Sequence, residues 1–216
     1  MKTRLLCVIL CLAMVLSFAG CGNNSTYPEG YEKHKAIIGE TKADAIKKLK
    51  LQESDLKEVI SDTYQIPGTF SFCGYDFEMV LLLDKASGRI FGFKYWVVVD
   101  DLSGFVALRE KLIEVYGKPD QVSFSEEEFE KVVHKRKGAV GDLWSLYPFT
   151  EEHHAEYARI LEEYKERIPE SPVRAGDYTW NLALTGTTHL DEKYIIIMDF
   201  SVGADYTQPW RPGQDR

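Results

Sequence analysis

Cysteine is scarce, with four residues in 216, and that is too few for a disulfide framework. No apolar run reaches the roughly 20 residues that a membrane-spanning helix needs. Basic residues are outnumbered, 26 Lys and Arg against 34 Asp and Glu, for a net charge of −8. A nucleic-acid-binding face needs the opposite surplus, so nucleic acid is excluded as a partner. His-Glu-x-x-His and Gly-x-Ser-x-Gly are both absent, which removes the helix-borne zinc protease and the nucleophile elbow. Ser54 and Lys57 have Ser-x-x-Lys spacing, but the accompanying Ser-x-Asn and Lys-Thr-Gly elements are missing. Ser54 therefore reads as a helix cap. What remains is a globular composition, 44% apolar, 28% charged and 12% aromatic.

The amino terminus carries an address. Lys2 and Arg4 precede an apolar run of 14 residues, 5–18, which is followed by Ala19, Gly20 and Cys21. A positive start, a short apolar core and a small-residue end make a secretory signal peptide, residues 1–20. Phe18-Ala19-Gly20-Cys21 resembles the lipobox of bacterial lipoproteins, with Phe18 where that family most often has Leu. The resemblance implies lipidation of Cys21, cleavage just before it, and membrane anchoring through acyl chains such as palmitate. It places the domain outside the cytoplasm, on a bacterial membrane. Two or more acyl chains, at about 0.8 kcal/mol per buried CH2, hold such an anchor stably. Cleavage leaves 24 basic residues against 34 acidic, and Cys73 as the one remaining thiol. The core must then supply the stability. Residues 21–30 read as lipidated Cys and flexible tether, with a reach of about 35 Å.

The body reads as follows. Thr41 caps a helix with Ile46 and Leu49 at helical spacing, and Ser54 and Asp55 open a second short helix carrying Leu56, Val59 and Ile60. Residues 69–73 form a short strand. Residues 76–83 and 89–99 form a hairpin around Ala86-Ser87-Gly88, with Gly88 in the left-handed position. Pairing Lys85 with Arg89 puts Phe77, Met79, Leu81, Leu83, Phe91, Phe93, Tyr95 and Val97 on one face, the core side. The other face holds Asp76, Glu78, Val80, Leu82, Ile90, Gly92, Lys94, Trp96 and Val98. Residues 101–117 form a helix with Phe105, Leu108, Leu112, Val115 and Tyr116 at spacings of three and four, stopped by Gly117 and Pro119. Residues 123–172 read as a polar helical insert. It holds a charged helix from Ser125 to Lys137 and a helix over 150–168 with Tyr157, Ile160, Leu161 and Tyr164 as its apolar stripe. Strands 178–184 and 194–200 close the domain, and residues 207–216 form a loose tail. The sum is one α+β domain, residues 31–206, with a mainly antiparallel sheet of about five strands and helices packed largely on one face.

Helix pair, meander, a helix ending Tyr116-Gly117-Lys118-Pro119 and a late Trp strand resemble small secreted bacterial lipoproteins. The order of elements is similar to the outer-membrane assembly lipoprotein of the SmpA/BamE type and to the β-lactamase inhibitory protein, with Gly39-Glu40-Thr41-Lys42 as the local feature. The resemblance implies a binding scaffold with no catalytic residues to carry over and no cofactor.

Candidate chemistry is sparse. Cys73 as a nucleophile would need a base from His34, His134, His153, His154 or His189, and no spacing selects one. A lone Cys in an apolar strand reads as a small core residue. Glu151 and His154 share a helix face, but two ligands fall short of the three or four that zinc takes. Acidic residues in a first turn already answer to the helix dipole. The basic run at 131–137 follows four Glu residues and reads as a solvated helix face rather than a lipid contact. The mixed hairpin face, with Glu78, Lys94 and Trp96, is the candidate binding face. The expectation is a non-catalytic lipoprotein that binds an envelope protein or component. The alternative is an envelope hydrolase or metalloenzyme using the His153/His154 region or Cys73.

Overall fold

A computed structural model describes residues 26–85, 88–148 and 178–204. Its elements in chain order are α1 (Tyr31–Lys35), α2 (Lys42–Leu49), β1 (Lys57–Ile60), β2 (Thr63–Phe72), β3 (Tyr75–Asp84) and β4 (Arg89–Val99). They are followed by α3 (Ser103–Tyr116), β5 (Gln121–Val122), α4 (Glu126–Lys135), β6 (Ala139–Pro148), β7 (Tyr178–Thr188) and β8 (Tyr194–Ala204). The strands form a single sheet in the order β1-β2-β3-β4-β8-β7-β6-β5, and every neighbouring pair is antiparallel. The fold is α+β, but the sheet has eight strands, not about five.

Three strands were hidden from the periodicity. Val59 and Ile60 belong to β1, not to a second short helix, because Glu53–Asp55 makes only one 3-10 turn before the chain extends. Leu56, Val59 and Ile60 happen to fall at helical spacing, but adjacent Val and Ile are β-branched and favour the pleat. β5 has two residues, too short for a pattern. Ala139–Pro148, expected inside a polar helical insert, is β6. Its core-facing row is Val140, Asp142 and Trp144, and the acid in the middle breaks the apolar alternation.

One face of the sheet carries the core. Phe77, Met79 and Leu81 of β3, Phe93 and Tyr95 of β4, Ile196, Met198 and Phe200 of β8, and Leu182 and Leu184 of β7 form one cluster. Tyr31, Ile37, Ala45, Phe105, Leu108, Leu112 and Val132 from the helical side complete it. Fully burying each Leu, Ile or Phe stabilises by about 1.5–3 kcal/mol. Phe105 of α3 sits so close to β7 that a Cβ at Gly186 would lie 2.9 Å from its ring, so only glycine fits there. All four described helices lie on this side, and no described helix is long and apolar enough to cross a membrane.

The β3–β4 hairpin follows the expected parity: Leu81 faces Phe93, Met79 faces Tyr95 and Glu78 faces Trp96. Near the turn a bulge shifts the register, so Leu83 faces Ile90 rather than Phe91. The segment before α2 pairs with the chain at this point, where Gly39 N–H donates to Ile90 O and Ile90 N–H donates to Glu40 O. Ile90 consequently joins the core instead of the mixed face. Gly88 has φ +67°, as its turn position requires.

α1 fixes the start of the domain. Trp180 Nε1 donates to the Tyr31 hydroxyl at 2.9 Å, and Tyr31 stacks on Tyr27 with centroids 4.1 Å apart. Pro28 is buried, and Glu29 N–H donates to Ser71 O. The chain is thus docked on the helical side from Tyr27 onward, short of the tether end expected at residue 30. Cys21, the 150–168 helix and the tail from 207 lie outside the described residues.

The β7–β8 turn is strained. Asp191 (φ 55°) and Glu192 (φ 60°) both occupy the left-handed region, which costs an L-residue about 1–2 kcal/mol. Glu192→Gly is expected to raise stability by about 0.5–1 kcal/mol after the entropic cost of glycine, read from a urea midpoint.

Candidate functional site

Residues directly opposite on neighbouring strands share a face of the sheet, so the pairings define the side away from the helices as a lattice. One row runs Glu78, Trp96, Ile197, Thr185, Gly141, and the next runs Gln65, Val80, Lys94, Asp199, Ala183, Leu143. Val98 faces Ile195 beyond Trp96, and on the other side Leu82, Gly92, Ser201 and Asn181 follow. The apolar residues of this face are Val80 and Leu82 on β3, Trp96 and Val98 on β4, and Ile195 and Ile197 on β8. Val80 and Leu82 are buried, and the other four are half-buried.

Glu78, Lys94 and Trp96 therefore do meet on one face. Their charges are occupied within it. Lys94 Nζ lies 2.9 Å from Asp199 Oδ2, and Gln65 Nε2 donates to Glu78 Oε2. What the face offers a partner is mainly aromatic and β-branched surface, with one neutralised ion pair at its centre. The sequence pattern missed Ile195, Ile197 and Asp199. β8 is apolar on both faces, so its own alternation does not say which residues turn away from the core. An open depression of about 360 Å³ borders this face where β2 bulges, lined by Asp55, Lys57, Gln65, Pro67 and Glu78 among others.

The other candidates are dispersed. Cys73 is not a strand core residue. It sits half-buried with φ 50° in the two-residue turn between β2 and β3, beside Gly74 with φ 79°. His34 is buried 2.7 Å from the Tyr95 hydroxyl, edge-on to Phe70. Burial, reinforced by the Lys33 charge, lowers its pKa to about 4, so it is a neutral core group at neutral pH. His134 lies 2.7 Å from Glu130 on the exposed surface of α4, and His189 is exposed in the β7–β8 turn. Lys131 of the charged helix is held by Glu127 and Glu128. Among the described residues, no three His, Cys, Asp or Glu side chains come close enough to hold a metal. Glu151, His153 and His154 lie outside the described residues.

The buried charge is elsewhere. Asp142 of β6 faces the helical side with its side chain fully buried and pairs with Arg109 Nε of α3. Arg109 also stacks over Phe124, 4.5 Å from the ring centroid. Burial pushes the Asp142 carboxyl above its ordinary pKa, and Arg109 pulls it back down. An open depression of about 290 Å³ along β5, β6 and β7 counts Asp142 among its lining residues, but the Asp142 side chain itself is fully buried against Arg109, and the pair reads as a structural bridge between α3 and the sheet. No protein-family model, curated protein or solved structure matches the chain.

Proposed function

We propose that the protein is an extracytoplasmic lipoprotein, anchored to a bacterial membrane through lipidated Cys21, whose domain is a non-catalytic binding module for an envelope protein. The partner seats on the sheet face, centred on Trp96, that no described helix covers. The observation that carries this reading is the placement of Trp96, Val98, Ile195 and Ile197 side by side on the one face that no described helix covers. Trp dominates binding hot spots because it buries a large area at low entropic cost. The Lys94–Asp199 ion pair and the Gln65–Glu78 hydrogen bond beside it would fix the orientation of a partner more than its affinity.

The test is a capture from detergent-solubilised native membranes with the lipidated protein as bait. Trp96→Ala is expected to weaken a captured partner at least about 30-fold, the effect of losing a hot spot of about 2 kcal/mol. Glu110→Ala, on the helical side, is expected to leave capture unchanged. Equal capture by wild type and Trp96→Ala would overturn the sheet-face reading.

A further inference from the structure

The protein is acidic, but one segment is not. Residues 31–50 hold six Lys against three acids, Glu32, Glu40 and Asp44, leaving 20 basic residues against 31 acidic in the rest of the chain. This segment is α1, α2 and the link between them, all on the helical side. α2 buries Ala45 and Ile46 against the core. At 100° per residue that orientation turns Ala43, Asp44, Lys47 and Lys48 outward, and all four are exposed. Lys33 of α1 and Lys50 at the end of α2 are exposed as well. Of the three acids, Glu32 is exposed, Asp44 is engaged by the Thr41 hydroxyl and Glu40 by Lys48, while Lys42 is paired with Glu53 outside the segment.

The same side carries the chain's entry. Tyr27 is stacked on Tyr31 of α1 and packs against Tyr116. Only five residues, 22–26, therefore separate Cys21 from a fixed point of the domain, a span of at most about 20 Å. A lipid at Cys21 would hold Tyr27, and with it the side of the domain that carries α1, within that distance of the headgroups. At 0.15 M salt the screening length is about 8 Å, so the lysines gain from an anionic surface only where the tether lets them come into contact with it. Each basic residue close to an anionic leaflet contributes about 1 kcal/mol.

We infer that the lysine surface of α1 and α2 docks on anionic lipid headgroups, with the sheet face that no described helix covers turned to the aqueous side. This rests on the lipoprotein reading. It adds an orientation to it: the membrane occupies the helical side, so a protein partner approaches from the aqueous phase. The competing basic run on α4 is unsuited to this role. Four Glu share its helix, and Arg136 is folded over Tyr194.

The test uses full-length protein expressed and processed in a bacterium, with Cys73→Ser and a nitroxide attached at Ala43→Cys or, separately, at Thr185→Cys. Each sample is reconstituted into vesicles of phosphatidylcholine alone or with 30% phosphatidylglycerol, a composition chosen to supply anionic headgroups. Mass spectrometry first establishes whether Cys21 is acylated. In anionic vesicles the Ala43 label is expected to lose collisions with an aqueous nickel complex, and 0.5 M salt is expected to restore them. The Thr185 label is expected to stay aqueous throughout. Adding Lys33→Gln and Lys47→Gln lowers the docked-to-undocked ratio about 25-fold, or fivefold per lysine at the stated energy. An acylated protein whose Ala43 label is equally aqueous on both vesicles, or whose Thr185 label contacts lipid, overturns the inference alone. A protein without acyl chains at Cys21 overturns the lipoprotein reading and the orientation with it.

Discussion

Arg109→Ala is expected to destabilise the domain by about 3–5 kcal/mol, because it strands a fully buried carboxylate. The Asp142 side chain has no exposure, and the Arg109 guanidinium is its ionic partner across the α3–β6 contact. An unpaired charge there keeps its desolvation cost and loses its compensation. The double change Arg109→Leu with Asp142→Leu is expected to recover most of the loss, since replacing both partners by apolar groups is often nearly neutral. The pH dependence separates this cause from lost packing. Burial already raises the Asp142 pKa, and removing Arg109 raises it further. A group with a raised folded-state carboxyl pKa favours the folded state only when protonated. The deficit of Arg109→Ala is therefore expected to shrink as pH falls from 7 towards 4. Urea unfolding of the single and double variants at pH 7 and 5 checks both statements. A deficit that is independent of pH would point to lost packing around Phe124.

The second large effect belongs to His34. Unfolded, its imidazole takes up a proton as pH falls through about 6.5. Folded, it resists until about 4, because it is buried against Tyr95, Phe70 and Phe93. Between those values the unfolded state binds more protons, so stability falls with falling pH. The contribution is complete above pH 6.5, and its loss reaches about 3 kcal/mol near pH 4, at 1.36 kcal/mol per pKa unit. His34→Gln, which keeps a polar group near the Tyr95 hydroxyl, is expected to flatten that part of the stability curve. Trp180 donates to Tyr31, one turn from His34 on α1, and gives a fluorescence signal for the same region. An unchanged acid slope in His34→Gln would assign the acid sensitivity to carboxylates instead.

How much was legible depends on how far each element carries its own information. α3 announced itself because Phe105, Leu108 and Leu112 recur at helical spacing and Gly117 ends the run, and all three are buried. The β3–β4 hairpin was legible because one register alone segregates its apolar residues, and only the bulge at Leu83–Ile90 departed from it. At that point the chain pairs with residues 39–41, a contact no local pattern contains. β6 was hidden by Asp142, a charge at a core position that makes sense only once Arg109 is placed opposite it. Cys73 looked like a strand residue because Phe70 and Phe72 precede it, yet Gly74 after it makes a two-residue turn. The candidate face was half legible. Glu78, Lys94 and Trp96 follow from the parity of two strands. Ile195, Ile197 and Asp199 required the β4–β8 pairing, which joins strands about 100 residues apart.

The sheet face that no described helix covers is proposed to meet a protein partner. Photo-crosslinking in living cells tests this most directly, with benzoylphenylalanine placed at Thr185, beside Ile197 on that face, or at Glu110 on the helical side. The account predicts a discrete protein adduct from position 185 that disappears when Trp96→Ala is added, and none from position 110. An adduct from position 110 alone, or a position-185 adduct that survives Trp96→Ala, would contradict it.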